Sequence, residues 1–321
     1  MVLVRAKGQI CVIFFYLEIN SIGRLDCFRR GHILVSKTSD VADFYDEMAK
    51  DDDYDKFWAY DKALYDQIHP ILVAHIGRIR NVASEILDVG CGTGAQTSIL
   101  CKKGFKSVYG IDISKGLLRI CSTRTRMLNH RPLLLNSDVS ALPFRDRTFD
   151  HIVCFYNVLN HVPQYAFAIE EMYRVLKTEG YMLLEIEKVS MSDLFYGGLD
   201  ILFGGRLEYE ITLPEWLQQL RRPFSTVIAR WSYQTKQVKY LRFSPKDVEK
   251  ICRRAGFRIL RKYGISILSG MIPWGLLKTE SEFSRSFSSL LRNIDRRISD
   301  IPFLRNMGLN TVYVMKKGDV K

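Results

Sequence analysis

Ile86-Leu87-Asp88-Val89-Gly90-Cys91-Gly92-Thr93-Gly94 is the stretch from which the fold can be read. Apolar residues lead into an acid, three glycines follow at alternate positions, and a helical pattern starts at Ala95. A chain that turns sharply off a strand tip, with its backbone close to a ligand, favours glycine. The helix beyond presents free N–H groups and the positive end of its dipole, which suits the carboxylate of a bound amino-acid-like molecule. Gly90, Cys91, Gly92 and Gly94 are then a backbone cradle, and Asp88 can accept hydrogen bonds from an ammonium group.

Outward from this turn, strand and helix patterns alternate. Strands are expected over Glu85–Val89, Ser107–Ile111, Pro132–Asn136, Phe149–Tyr156 and Gly180–Glu187. Helices are expected over Ala95–Lys103, Lys115–Leu128 and Gln164–Leu176. Strands separated by helices of about ten residues form right-handed parallel βαβ units. A helix at Pro245–Ala255, a strand at Phe257–Ile265 and a last strand at Asn310–Lys316 resume the rhythm. The expected fold is a doubly wound, mostly parallel, seven-stranded α/β sheet with helices on both faces and an inserted cap. Residues 1–37 form an N-terminal extension of uncertain structure. Residues 38–189 hold the core with an N-terminal helical lid, and 190–243 an insertion or cap. Residues 244–321 complete the sheet, with a helical insertion at about 266–309.

The second strand ends in Tyr109-Gly110-Ile111-Asp112, and Asp112 follows Asp88 by 24 residues. An acid at that strand tip can accept both hydroxyls of a ribose. The glycine spacing is G-x-G-x-G with an acid two positions earlier, not the G-x-G-x-x-G of dinucleotide-binding oxidoreductases. A purely structural turn is the bland alternative.

With these residues in view, the chain resembles the class I S-adenosylmethionine (SAM)-dependent methyltransferases, particularly the ubiquinone/menaquinone C-methyltransferase-like (methyltransferase type 11) branch. The likeness extends to Asn136–Phe144, to Phe149–Val162 and to Arg174-Val175-Leu176-Lys177 before Gly180. It covers about 40–187 and, more loosely, 244–316. It implies a Rossmann-like core, SAM as cofactor, adenine recognition by Asp138 and Val139, and Ile113 beside the ribose acid. It also implies that the Tyr156-Asn157 backbone lies against the methionine part of SAM. The segment with Tyr45, Asp46 and Tyr54 looks like the family's lid, where a tyrosine shields the cofactor.

SAM carries an activated methyl group, so transfer by in-line displacement needs chiefly alignment and exclusion of water. His161, just after the fourth strand, is the candidate catalytic base or orienting group, since histidine titrates near neutrality. A packed helix-start histidine is the alternative. Asn157 and Asn160 read first as helix caps. The loop lacks an Asn/Asp-Pro-Pro-aromatic motif and there is no Pro-Cys nucleophile pair. The seven cysteines form no C-x-x-C pair, so no metal site is expected, and reduced thiols point to the cytoplasm.

The 321 residues carry a net charge of +12, unevenly. From Ile201 to Lys321 there are 23 Lys/Arg against 10 Asp/Glu, while the first 200 residues are near neutral. A basic segment of this kind suits an anionic membrane surface, nucleic acid or an acidic substrate. No apolar run reaches the ~18 residues of a membrane span. Ile10–Ile19, after Arg5 and Lys7, faintly resembles a signal peptide without a cleavage site; an extra strand or an upstream extension from an early gene start is preferred. Glu282–Ile298 reads as an amphipathic helix: a lid, a membrane-surface element or a packed helix. The favoured acceptor is a small or lipid-like molecule. The alternatives are tRNA or other RNA read by the basic third, and a SAM-binding partner subunit without catalysis. The oligomeric state is open.

Overall fold

A computed structural model describes residues 2–6, 9–13, 35–50, 59–79, 81–202, 213–221, 225–233, 235–271 and 282–318. The chain divides into Met1–Leu34 and Val35–Lys321. In the first unit, β1 (Val2–Ala6) and β2 (Gln9–Ile13) pair antiparallel, in keeping with the extra strand expected near Ile10.

The second unit opens with α1 (Thr38–Met48) and α2 (Ala59–Ile76). Five parallel strands follow: β3 (Glu85–Val89), β4 (Ser107–Asp112), β5 (Leu133–Asn136), β6 (Phe149–Cys154) and β7 (Leu176–Glu187). The helices α3 (Ala95–Lys102), α4 (Lys115–Thr125) and α5 (Tyr165–Val175) connect them, with a 3-10 turn at Val158–His161. Beyond β7 come α6 (Met191–Leu202), α7 (Leu213–Arg221) and an antiparallel hairpin, β8 (Val227–Tyr233) and β9 (Lys236–Arg242). Then α8 (Pro245–Arg254), β10 (Phe257–Ile265), α9 (Glu282–Ile298) and β11 (Asn310–Lys317) complete the unit.

The main sheet has the order β10-β11-β7-β6-β3-β4-β5. Only β11 runs opposite to the rest. Burial on both faces explains why the central strands read as continuous apolar runs. One face packs Ile169 and Met172 of α5 and Val248 and Cys252 of α8 over Leu87, Ile152 and Leu184. The other packs Leu64, Ile68 and Leu72 of α2 over Ile86, Val153 and Leu183.

Strand order reverses between β3 and β6, the place where open α/β sheets bind ligands beyond the strands' carboxyl ends. The glycine turn sits there. Two local expectations shift. The strand expected from Gly180 begins at Leu176, because Leu176 pairs with Phe149 before an irregularity in the ladder. The region 190–243 also carries a hairpin, which its sequence does not announce with an Asn-Gly or Asp-Gly turn.

Candidate functional site

All three glycines of the turn adopt left-handed backbone, with φ of 66°, 52° and 84° at Gly90, Gly92 and Gly94. Their surroundings differ. A Cβ on Gly90 would stand 2.1 Å from Val158 Cγ2, and one on Gly94 would stand 2.5 Å from Cys121 Sγ. A Cβ on Gly92 would meet nothing nearer than the Gly90 carbonyl oxygen at 4.0 Å. Gly90 and Gly94 thus let the protein pack on itself, and Gly92 borders open space. The Cys91 side chain is buried, and its amide donates to the Ile111 carbonyl at 2.9 Å. Only the backbone of Cys91 can serve a ligand there.

Asp112, at the tip of β4, holds the turn closed. Its Oδ2 accepts from the Gly92 amide and its Oδ1 from the Ser114 amide, both at 2.8 Å. Each carboxylate oxygen offers two lone-pair sites, so acceptor capacity remains. Burial pushes the Asp112 carboxyl up to about 6. Ile113, beside it, is half-buried, and the Asn136 amide donates to its carbonyl at 2.8 Å.

Asp88 lies fully buried beneath the turn. Its oxygens accept from Gln96 Nε2 at 3.1 Å and Thr97 Oγ1 at 2.5 Å, tying the tip of β3 to the first turn of α3. Burial raises its carboxyl to about 7.

Asp138 stands after β5 and accepts from the amide and hydroxyl of Ser140, each at 2.8 Å, while Val139 is buried beside it. Arg174 of α5 pins this loop by donating to the carbonyls of Leu142 and Phe144 and to Asp146. The Tyr156–Asn157 corner is left-handed at two successive non-glycine residues, φ 62° and 60°. Such strain persists where surrounding contacts over-determine it. Here the buried Glu185 of β7 accepts from the Asn157 amide at 2.7 Å and from Asn310 Nδ2 at 2.5 Å. Burial lifts Glu185 to about 7. Sequence reasoning missed Glu185 and Asn310, which lie 125 residues apart.

His161 is buried, and its Nδ1 has no hydrogen-bond partner. Tyr240 of β9 stacks on it at 5.0 Å, Tyr45 of α1 meets it edge-on at 5.6 Å, and Trp231 of β8 lies 6.1 Å away. Burial depresses its pKa to about 4, so the ring is neutral at physiological pH. Asn160 does not cap a helix. Its side chain accepts from the Glu187 amide and donates to the Glu187 and Leu241 carbonyls, joining β7 to the hairpin.

Asp46 of α1 accepts from Ser114 Oγ at 2.6 Å and the Gly116 amide at 2.8 Å, docking α1 on the start of α4. Tyr54 lies outside the described residues. Among the described residues, no cluster of His, Cys, Asp and Glu could hold a metal, and no helix is long and apolar enough to cross a membrane.

Residues 87–184 match the methyltransferase domain family. An uncharacterized protein of Methanocaldococcus jannaschii is 23% identical over 261 residues, which is 81% of this chain and 92% of that protein. A demethylmenaquinone methyltransferase of Staphylococcus haemolyticus is 33% identical over 147 residues, 43% of this chain, and the match spans 61% of that enzyme's length. The magnesium protoporphyrin IX methyltransferase of Synechocystis, solved with SAH, superposes with a TM-score of 0.55 at 14% identity over 88% of this chain and all of that one. Residues 87–184 thus form a class I SAM-dependent methyltransferase domain.

SAM is therefore the cofactor that the turn must fit. The open space at Gly92 and the remaining acceptor capacity of Asp112 lie together at this turn.

Proposed function

We propose that this methyltransferase transfers the methyl group of SAM to a small, largely apolar or lipid-like acceptor held beside His161. The observation that carries this reading is the aromatic enclosure of Tyr45, Trp231 and Tyr240 around a buried histidine whose Nδ1 has no partner. The likeness to enzymes named for demethylmenaquinone supports an apolar acceptor as well.

Bound SAM supplies a methyl group already activated by the sulfonium charge. The chain's residues do the rest. Gly92 and the α3 amides receive the amino-acid end, Asp88 sets the turn, and Asp112 accepts the ribose hydroxyls. Asp138 and Val139 hold the adenine, and the Tyr156-Asn157 backbone lines the methionine part. Neutral His161 accepts a hydrogen bond from the acceptor and orients its attacking atom. The α1 helix and the β8–β9 hairpin exclude water from that side.

The test is transfer of label from methyl-labelled SAM to a prenylated quinol, to soluble phenols and to tRNA. Label entering the prenylated quinol or the phenols supports this reading. Label entering tRNA alone overturns it.

A further inference from the structure

The two long insertions of the sheet both leave from its carboxyl edge. Asn310 pairs with Glu187 and Ile265 pairs with Asn310, so the end of β7, the end of β10 and the start of β11 lie in one row. The first insertion carries α7 and the second carries α9.

Each helix is anchored on one face and bare on the other. In α7, Trp216 Nε1 donates to the Leu194 carbonyl at 2.8 Å and Gln219 is buried. Beside Trp216 and away from Gln219, Leu213, Leu217 and Leu220 recur at i, i+4 and i+7 and are 50%, 43% and 48% exposed. In α9, buried Asp295 accepts from the amides of Leu268 and Ser269 and from the Ser269 hydroxyl, and Arg292 pairs with Asp66. Leu290 and Ile294 face out at 55% and 36% exposure, and Phe303 beyond the helix is 76% exposed. Leucines in such rows are not the scattered apolar residues of an ordinary surface.

Charge identifies what covers them. Arg221 ends α7, and exposed Arg296 and Arg297 end α9. They belong to the segment in which 23 Lys/Arg oppose 10 Asp/Glu. Apolar rows bordered by arginine match a bilayer interface, where the side chains enter the acyl boundary and the guanidinium groups meet anionic headgroups. Leu213, Leu217, Leu220, Leu290 and Ile294 offer RNA bases no stacking platform.

We propose that α7 and α9 seat this methyltransferase on an anionic lipid surface, with its acceptor edge toward the membrane. This goes beyond the proposed function, because docking does not require the methyl acceptor to be a lipid.

The experiment is sedimentation of the full chain with phosphatidylcholine vesicles, with and without about one-third phosphatidylglycerol, at low and high salt. Binding only to the anionic vesicles, weakened by salt, is expected. Leu217→Glu with Leu220→Glu, and separately Leu290→Glu with Ile294→Glu, should each weaken it about tenfold or more. No sedimentation with anionic vesicles, equal binding to neutral ones, or unchanged binding by both variants overturns the proposal. So does self-association in light scattering that the variants abolish in the absence of vesicle binding, which would make a second copy the occupant. Loss of tRNA binding in the variants, with no vesicle binding by the parent, would overturn it in favour of RNA. SAM-induced thermal stabilisation, measured on every variant, reports folding and cofactor binding separately from docking.

Discussion

The Asp112 carboxylate and the Gly92 amide are joined by a 2.8 Å hydrogen bond across the tips of β3 and β4. The glycine turn and the second-strand acid therefore form one structural unit, and a ligand that grips one must touch the other. Asp112→Ala should weaken SAM binding by about 10- to 100-fold, the scale of one or two charge-assisted hydrogen bonds. Isothermal titration checks this. Unchanged affinity would remove Asp112 from the ribose site.

The glycines separate packing from ligand approach. Gly90→Ala places a methyl 2.1 Å from Val158 Cγ2 and should lower Tm by several degrees. Gly92→Ala meets no neighbour within contact, so its folding cost is limited to a φ of 52°, about 1–2 kcal/mol. Its main effect should be on SAM affinity. A Gly92→Ala protein that binds SAM normally would mean that no ligand lies against the turn.

The buried Asp88 makes stability depend on pH in a defined direction. It titrates at about 7 in the fold, against about 4 when exposed. Between those values the unfolded chain has released the proton that the fold retains, so its contribution is fully present below about pH 4 and is lost as pH rises through 7. Asp112 and Glu185 act in the same sense. His69 and His161, both lowered to about 4, act oppositely as pH rises from 4 to 6.5. The wild-type protein therefore mixes the two, and comparison with Asp88→Asn isolates one. The variant's Tm should gain on that of the wild type as pH rises from about 5 to about 8. A pH-independent difference would place the titration elsewhere.

Asp46 tethers α1 to α4. Removing its carboxylate by Asp46→Ala strips acceptors from Ser114 Oγ and the Gly116 amide. The amide lies in the first turn of α4, where it has no partner within the helix. If α1 covers the cofactor, it should open more often, raising KM for SAM and increasing amide exchange across Thr38–Met48, with a smaller change in Tm. Exchange that does not change would show that the remaining ties of α1, Phe44 on Trp231 and Lys236 on the Asp43 carbonyl and Glu47, hold it without Asp46.

Much of this was legible because it is local. Phe257–Ile265 and Glu282–Ile298 carry their periodicity in adjacent residues, and the glycine turn is written in consecutive positions. The relationships that assemble the site are not local. Asp46 meets Gly116 across 70 residues and Glu185 meets Asn310 across 125, and no spacing rule links such pairs. Asn160 reads as a cap because asparagine beside a helix start often is one. Its neighbours in space, Glu187 and Leu241, turn it into a clasp between sheet and hairpin.

His161 discriminates between proton transfer and orientation. A ring held neutral down to about pH 4 is a weak base but retains a nitrogen for hydrogen bonding. If it orients the acceptor, His161→Asn should keep part of the rate that His161→Ala loses, because asparagine supplies a polar group near the same place. The rate should then stay flat from about pH 5 to about pH 8. The loss should appear in kcat, with SAM affinity close to normal, since no cofactor contact is assigned to the ring. If instead the rate of the wild-type enzyme rises with a single ionisation near pH 6.5 that both variants abolish, His161 removes the proton itself. Equal rates in all three proteins would assign the ring to packing against Tyr240 and Trp231.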